Sequence, residues 1–184
     1  DAEAFSLTAM RRILLDPDSA AWSGAAQLNR GLGARGLDTL VVARWTSEDS
    51  TVGCIALGVR SSFVNRLFDR RGDQHVEATA TYPGAEGYVL DIASSGMLCN
   101  ASDARGLRYG IETFLRLLDL HSPIGTIEAC RIVDAPEFPK RWFLYESHFD
   151  DAGDTQQARS VWDHALHSNL NAVAFADWWH LARI

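Results

Sequence analysis

The chain has 184 residues, of which 47% are apolar and 22% charged, with a formal net charge of −7. That suits one globular domain, or one domain and part of a second, burying its core without disulfide or metal staples. The acidic balance, with 17 basic residues scattered along the chain and only Lys140 a lysine, excludes a surface built to track nucleic-acid phosphates.

Arg12-Ile13-Leu14-Leu15 is a short apolar run closed by Asp16-Pro17 and reads as a first strand. Asp18 or Ser19 can cap the helix that follows, whose inward stripe is Ala21, Trp22, Ala25, Leu28 and Leu32. Gly31, Gly33 and Gly36 are expected to end it. Residues 40–45 and 52–57 read as strands. Phe63, Val64, Leu67 and Phe68 have helical spacing, although Arg70-Arg71-Gly72-Asp73 reads as a loop. Tyr88 to Ile92 and Met97 to Ala101 read as a hairpin around Ser94-Ser95-Gly96.

Asp103 caps a second long helix with Leu107, Ile111, Phe114, Leu115 and Leu118 on its buried face. Gly106 and Gly110, one turn apart, leave it bare where it can approach a sheet. Ile127 to Val133 is read as the last strand of this region. Asp134-Ala135-Pro136-Glu137-Phe138-Pro139 then marks a boundary, since each proline biases the residue before it to extended backbone. Beyond it, Trp142 to Glu146 reads as a strand and Asp154-Thr155-Gln156-Gln157 as a capping box. Ala158, Val161, Trp162 and Ala165 form a helix face, and Ala172 to Ala176 a second strand. With no hairpin turn between the strands, this is a βαβ unit.

Several motifs have a plain reading beside a sharp one. Gly31-Leu32-Gly33-Ala34-Arg35-Gly36 has the letters of a dinucleotide fingerprint, but it follows a helix instead of opening one, so a helix stop is the better reading. His164 and His167 are three apart, yet zinc needs three or four convergent ligands, and no metal or other cofactor is expected. Cys54, Cys99 and Cys130 sit inside apolar runs and suit buried thiols better than a disulfide framework. Asn100-Ala101-Ser102 is a glycosylation sequon. No run approaches the roughly 18 apolar residues of a membrane span. The opening Asp1-Ala2-Glu3-Ala4-Phe5 has no signal-peptide pattern, which leaves exported and cytoplasmic locations equally open.

Residues 87–141 carry a more specific pattern. Tyr88 opens a strand, the helix carries D-x-x-G-x-x-Y-G at Asp103, Gly106, Tyr109 and Gly110, and the exit carries D-x-P-x-F-x-x-R at Asp134, Pro136, Phe138 and Arg141. This order resembles the small domain that precedes the catalytic barrel in β-N-acetylhexosaminidases of glycoside hydrolase family 20. Related domains precede the barrels of α-glucuronidases. The resemblance implies an α+β accessory domain over residues 1–133, a mostly antiparallel sheet with two helices on one face. A linker over 134–140 and the opening βαβ of a (β/α)8 TIM barrel over 141–184 complete the expected organisation.

The function implied is that of the N-terminal part of a glycoside hydrolase, its partner a carbohydrate substrate met through the complete barrel. In the hexosaminidases the sugar's own acetamide oxygen attacks the anomeric carbon, steadied by an Asp beside the Glu that protonates the leaving oxygen. That pair sits on a later barrel strand. No Asp-Glu dipeptide occurs here, so no catalytic residue is assigned in this chain and the polypeptide alone is expected to be inactive.

Barrel active sites are built at the C-terminal ends of the strands, which makes Glu146, His148, Asp150, Asp177, Trp178 and Trp179 the candidate substrate-binding residues. Two departures bear on the sugar. Glu146-Ser147-His148-Phe149 keeps the family's His-Phe but lacks the Arg before it, and Leu170-Asn171 is not followed by the family's His-Trp-His. His148-Phe149-Asp150 echoes an α-glucuronidase cluster, so a hydrolase of that kind and a non-catalytic carbohydrate-binding or structural module are the alternatives. The truncated barrel segment, with open strand edges, is expected to self-associate or lose order after Pro139.

Overall fold

The computed structural model describes residues 4–16, 20–46, 52–71, 77–120, 125–146, 160–161, 164–165 and 168–176. The chain divides into two compact units, Asp1–Pro136 and Glu137–Ile184. In the first, the strands are β1 (Phe5–Ser6), β2 (Arg12–Leu15), β3 (Val41–Arg44), β4 (Cys54–Val59), β5 (Tyr88–Ala93), β6 (Gly96–Ala101), β7 (Thr126–Ile127) and β8 (Cys130–Asp134). Its helices are α1 (Ala20–Ala34), α2 (Ser62–Arg71) and α3 (Ala104–Leu120). The six-stranded sheet has the order β3-β2-β4-β6-β5-β8, and β1 pairs with β7 in a separate ribbon.

The α+β class stands, and the sheet is mixed. β5 is antiparallel to both β6 and β8, while β3, β2, β4 and β6 run parallel in a row. The connections dictate this division. A two-residue turn reverses the chain between β5 and β6, whereas α1 carries it back from the end of β2 to the start of β3, so those two strands must point the same way. α3 does the same between β6 and β8, across the intervening β5.

Both crossover helices cover one face of the sheet. Ala21, Ala25, Leu28 and Leu32 from α1, with Leu107, Ile111, Phe114, Leu115 and Leu118 from α3, pack there on Ile13, Leu15, Ile55, Leu57, Leu90 and Cys99. Trp22 does not join the stripe. It is 39% exposed and lies under the Arg44 guanidinium, 5.9 Å from its ring centre. The apolar stripe bends through Gly24 instead, one turn before Leu28.

α1 and α3 run parallel in close contact. A Cβ on Gly24 would lie 2.8 Å from Leu107 Cδ2 and 2.9 Å from Ile111 Cδ1, and one on Gly31 would collide with Leu115. Gly31 is therefore a packing residue inside the helix, not its stop. The stop is Gly36, at φ +69°, where Leu37 N–H donates to Leu32 C=O and Gly36 N–H to Gly33 C=O, both at 3.0 Å. That is a Schellman turn, and it disposes of the dinucleotide reading. At the rim, Gln27 donates to Glu112 at 2.6 Å and Arg35 grips Asp119 with two bonds of 2.6 Å.

The opposite face is covered by α2, which the sequence left half assigned. Phe63, Val64, Leu67 and Phe68 pack on Leu14, Cys54, Ala56, Val89 and Leu98, and Trp45 stacks on Phe63 at 4.1 Å. Ser61 caps this helix, accepting from Val64 N–H at 3.2 Å. Asn100 lies beneath α2, fully buried. It accepts from Ser61 N–H at 3.1 Å and donates to Ser61 C=O at 3.0 Å and to Asn65 Oδ1 at 2.7 Å. The sequon asparagine is thus a core residue whose amide is fully engaged. Cys54 and Cys99 are buried free thiols on opposite sheet faces, and Cys130 is a half-buried one.

α3 starts as the sequence predicts. Asp103 accepts from the N–H groups of Arg105 and Gly106 at 2.9 Å and, with its other oxygen, from Glu86 N–H at 2.7 Å. One carboxylate therefore caps the helix and holds the turn that leads into β5. The expected strand over 127–133 is two: Thr126 and Ile127 pair with β1, and after Glu128-Ala129 the chain moves over to pair with β5.

Two expectations follow. A Cβ on Gly110 would lie 2.6 Å from Cys99 Sγ and 3.0 Å from Tyr88 Cδ2, so Gly110→Leu should destabilise the chain by about 1–3 kcal/mol or more. A melting temperature equal to wild type would show the helix free to move away. Burial pushes the Cys99 thiol from 9.0 up to about 12 and the Tyr88 phenol from 10.0 up to about 12, the latter despite its 2.7 Å bond to Thr113. Both groups are favoured neutral in the fold. The stability they contribute is complete below pH 9 and falls as pH rises from about 9 towards 12. Melting curves across that range should show the loss, and Cys99→Ala should move its onset to higher pH.

Candidate functional site

In the second unit β9 (Trp142–Glu146) and β10 (Ala172–Ala176) pair in parallel, from Trp142 opposite Ala172 to Glu146 opposite Ala176. Residues 160–161 and 164–165 between them are helical, with Val161 and Ala165 buried. This is the strand-helix-strand order expected from the sequence. The capping box at 154–157 and Trp162 lie outside the described residues.

A polar clasp aligns the two strands at their N-terminal ends. Arg141 donates through Nε to Asn169 C=O at 2.8 Å and through a terminal nitrogen to Phe138 C=O at 2.7 Å. Asn171 replies from the other strand, its Oδ1 accepting from Arg141 N–H at 2.9 Å and its Nδ2 donating to Pro139 C=O at 2.8 Å. The backbone N–H groups of Asn171 and Ala172 both donate to Arg141 C=O, at 2.8 and 3.1 Å. Bonds on both sides of one residue pair leave little freedom for a register slip.

The clasp acts on the opposite ends of the strands by register alone. With Trp142 opposite Ala172, the fifth pair is Glu146 and Ala176, so both C-terminal ends finish level. Of the six candidate residues, Glu146 closes β9 there. His148, Asp150, Asp177, Trp178 and Trp179 belong to the segments that follow the two strand ends and lie outside the described residues. Among the described residues no three His, Cys, Asp or Glu side chains come together in a way that could hold a metal ion, and His164 is exposed. Nor is any helix among them long and apolar enough to cross a membrane.

Sequence reasoning gave Asn171 no role of its own. Its signal is an asparagine directly before an apolar run, matched with an arginine directly before the preceding strand.

The first unit settles the affiliation. The family model described as glycosyl hydrolase family 20, domain 2, matches residues 1–135. The chain belongs to glycosyl hydrolase family 20. Solved structures agree at the level of fold over 95% of the chain. An exo-β-N-acetylglucosaminidase of Vibrio harveyi is similar with a TM-score of 0.63 at 17% identity, covering 24% of that protein's chain. A β-N-acetylhexosaminidase of Streptomyces coelicolor A3(2) has a TM-score of 0.64 at 19% identity, covering 32% of its chain. A chitobiase of Flavobacterium johnsoniae has a TM-score of 0.62 at 20% identity, covering 25% of its chain. The family 20 chain described here thus spans about a quarter to a third of the length of these proteins. No curated protein sequence matches it.

The clasp generates a prediction. Arg141→Met removes two side-chain bonds to carbonyls at once, and Asn171→Ala removes the reciprocal pair. Either change should speed amide exchange across β9 and β10 by about tenfold, at about 1–3 kcal/mol for two bonds lost, charge-assisted in the first variant and neutral in the second. Exchange in β4, β5 and β6 should stay unchanged. Uniform acceleration in both units would show that the clasp is not local.

Proposed function

We propose that this chain is the front part of a β-N-acetylhexosaminidase-like glycoside hydrolase. The single observation that carries this is the order of its two parts: a family 20 domain 2 over residues 1–135, then a parallel strand-helix-strand unit. Residues 1–133 serve as the accessory domain, 134–140 as the linker, and 141–184 as the opening βαβ of a (β/α)8 barrel. The activities of the Vibrio, Streptomyces and Flavobacterium proteins support an amino sugar as the substrate of the complete protein.

In a barrel the C-terminal strand ends face the substrate. Glu146 closes β9 at that end, level with the close of β10. His148 and Asp150 after β9, and Asp177, Trp178 and Trp179 after β10, are assigned to substrate contact. Tryptophan faces pack against the C–H face of a pyranose, and carboxylates accept from its hydroxyls. Glycoside cleavage needs two carboxyl groups, or one and the substrate's acetamide, held across the scissile bond. With no Asp-Glu dipeptide in the 184 residues, the chain's contribution is to bind and position.

The test is a nitrophenyl N-acetyl-β-glucosaminide assay. The 184-residue polypeptide should show no turnover, and a protein that carries this segment ahead of an Asp-Glu barrel strand should be active. In the latter, Trp178→Ala or Trp179→Ala should raise KM more than it lowers kcat. Turnover by the pure 184-residue chain would overturn the reading, as would preference of the longer protein for a glucuronide. Light scattering on the short chain should show self-association, because among the described residues β9 and β10 pair only with each other.

A further inference from the structure

A groove of about 450 Å³ runs along α2 in the first unit, between that helix and residues 77–80. Arg60, Ser62, Asn65 and Arg66 form one wall and Glu77 and Thr79 face them. We propose that this groove binds an acidic pyranose, a single sugar ring that carries one carboxylate. The inference is carried by the groove alone and goes beyond the hexosaminidase reading.

The volume falls within the roughly 300–1,000 Å³ of small-molecule sites. The lining decides which small molecule. Among the described residues no aromatic side chain borders the groove, so none is there for a nucleobase to stack on, and only Ala78 and Ala80 are apolar. A ligand here must be polar over most of its surface. Among the described residues neither the Arg60 nor the Arg66 guanidinium makes a hydrogen bond or ion pair. Guanidinium forks match a carboxylate bidentately. Among the described residues Asp69 and Glu77 line the same groove and offset the two guanidiniums, which disfavours a phosphate dianion. The hydroxyls of a pyranose can take bonds from Ser62 and Thr79 and offer donors in return.

The walls are also fixed in advance. Asn65 on α2 accepts from Ala78 N–H at 3.1 Å and donates to Ala78 C=O at 3.4 Å, which ties the two walls together. Fully buried Asn100 donates to the same Asn65 oxygen from below at 2.7 Å. Arg60 stands at φ +49°, a backbone state disfavoured for a side chain that bears a Cβ. Its N–H donates to Ala101 C=O at 2.8 Å, and the next N–H, of Ser61, to Asn100 Oδ1 at 3.1 Å. The same buried asparagine therefore anchors both Asn65 and the backbone next to Arg60. A site with its partners ordered beforehand loses less on binding.

The experiment is an amide-resonance titration of the whole 184-residue chain with D-glucuronate, methyl β-D-glucoside and inorganic phosphate in parallel. Glucuronate should give saturable shifts confined to residues 60–66 and 77–80, with the neutral glucoside at least about tenfold weaker. Arg66→Met and Arg60→Gly, the latter keeping the left-handed backbone, should each weaken glucuronate by about tenfold with circular dichroism unchanged. Should Arg60→Gly unfold, the wild-type titration and Arg66→Met decide the matter. Absence of saturable shifts, equal binding of the glucoside, equal shifts from phosphate, or a folded Arg66→Met that binds as wild type would each overturn the proposal. An inactive longer protein would sink the hexosaminidase reading and leave this result untouched.

Discussion

The first unit depends on how near α3 can come to what surrounds it. A helix covered in side chains packs with its axis roughly 8–10 Å from a neighbour, and α3 has three neighbours at once: the sheet, α1 and the turn before β5. At each contact one partner has given up its Cβ. Gly110 lets the helix settle on Cys99 and Tyr88, Gly106 lets it meet the backbone of Gly87, and Gly24 and Gly31 on α1 receive Leu107, Ile111 and Leu115. The resulting layer is dense enough that Cys99 and Tyr88 are held neutral well above their ordinary pKa values. The thiol, the phenol and the glycine are one packing arrangement seen from three sides.

That arrangement also explains why one carboxylate can organise so much. Asp103 caps α3, but its second oxygen holds Glu86, which stands at φ +59° beside the Gly87 backbone on which Gly106 rests. The helix start, the turn and the first residues of β5 are thereby set together. Arg105 adds a 2.8 Å pair to Glu86 at the surface, where solvent screening leaves such a contact little weight of its own.

Much of this was legible in the sequence because the signals are local. Helical spacing located the buried face of α3 residue by residue, and the turn at Ser94-Ser95-Gly96 located its hairpin. The errors fall where a residue's role is set by a distant partner. Trp22 has the spacing of a core residue, but its place on the inner stripe belongs to Gly24, and that becomes visible only when Leu107 and Ile111 are brought against it. Gly31 reads as a helix breaker for the same reason. Asn100, read as a sequon, owes its buried state to Ser61 and Asn65, thirty-nine and thirty-five residues away. The strand-end residues of the second unit are legible as types, and only Glu146 among them is described, by its register.

The two units divide the physical problem differently. In the first, α1 and α3 cover one sheet face and α2 the other, and the buried polar groups are paired locally, so the fold carries its own cover. In the second, two parallel strands are registered by one arginine and one asparagine at their N-terminal ends. Parallel strands ordinarily have both faces covered and both edges paired. The clasp fixes the relative height of two strands but cannot supply either. The first unit thus keeps its register through packed faces, and the second through one polar contact at the strand starts.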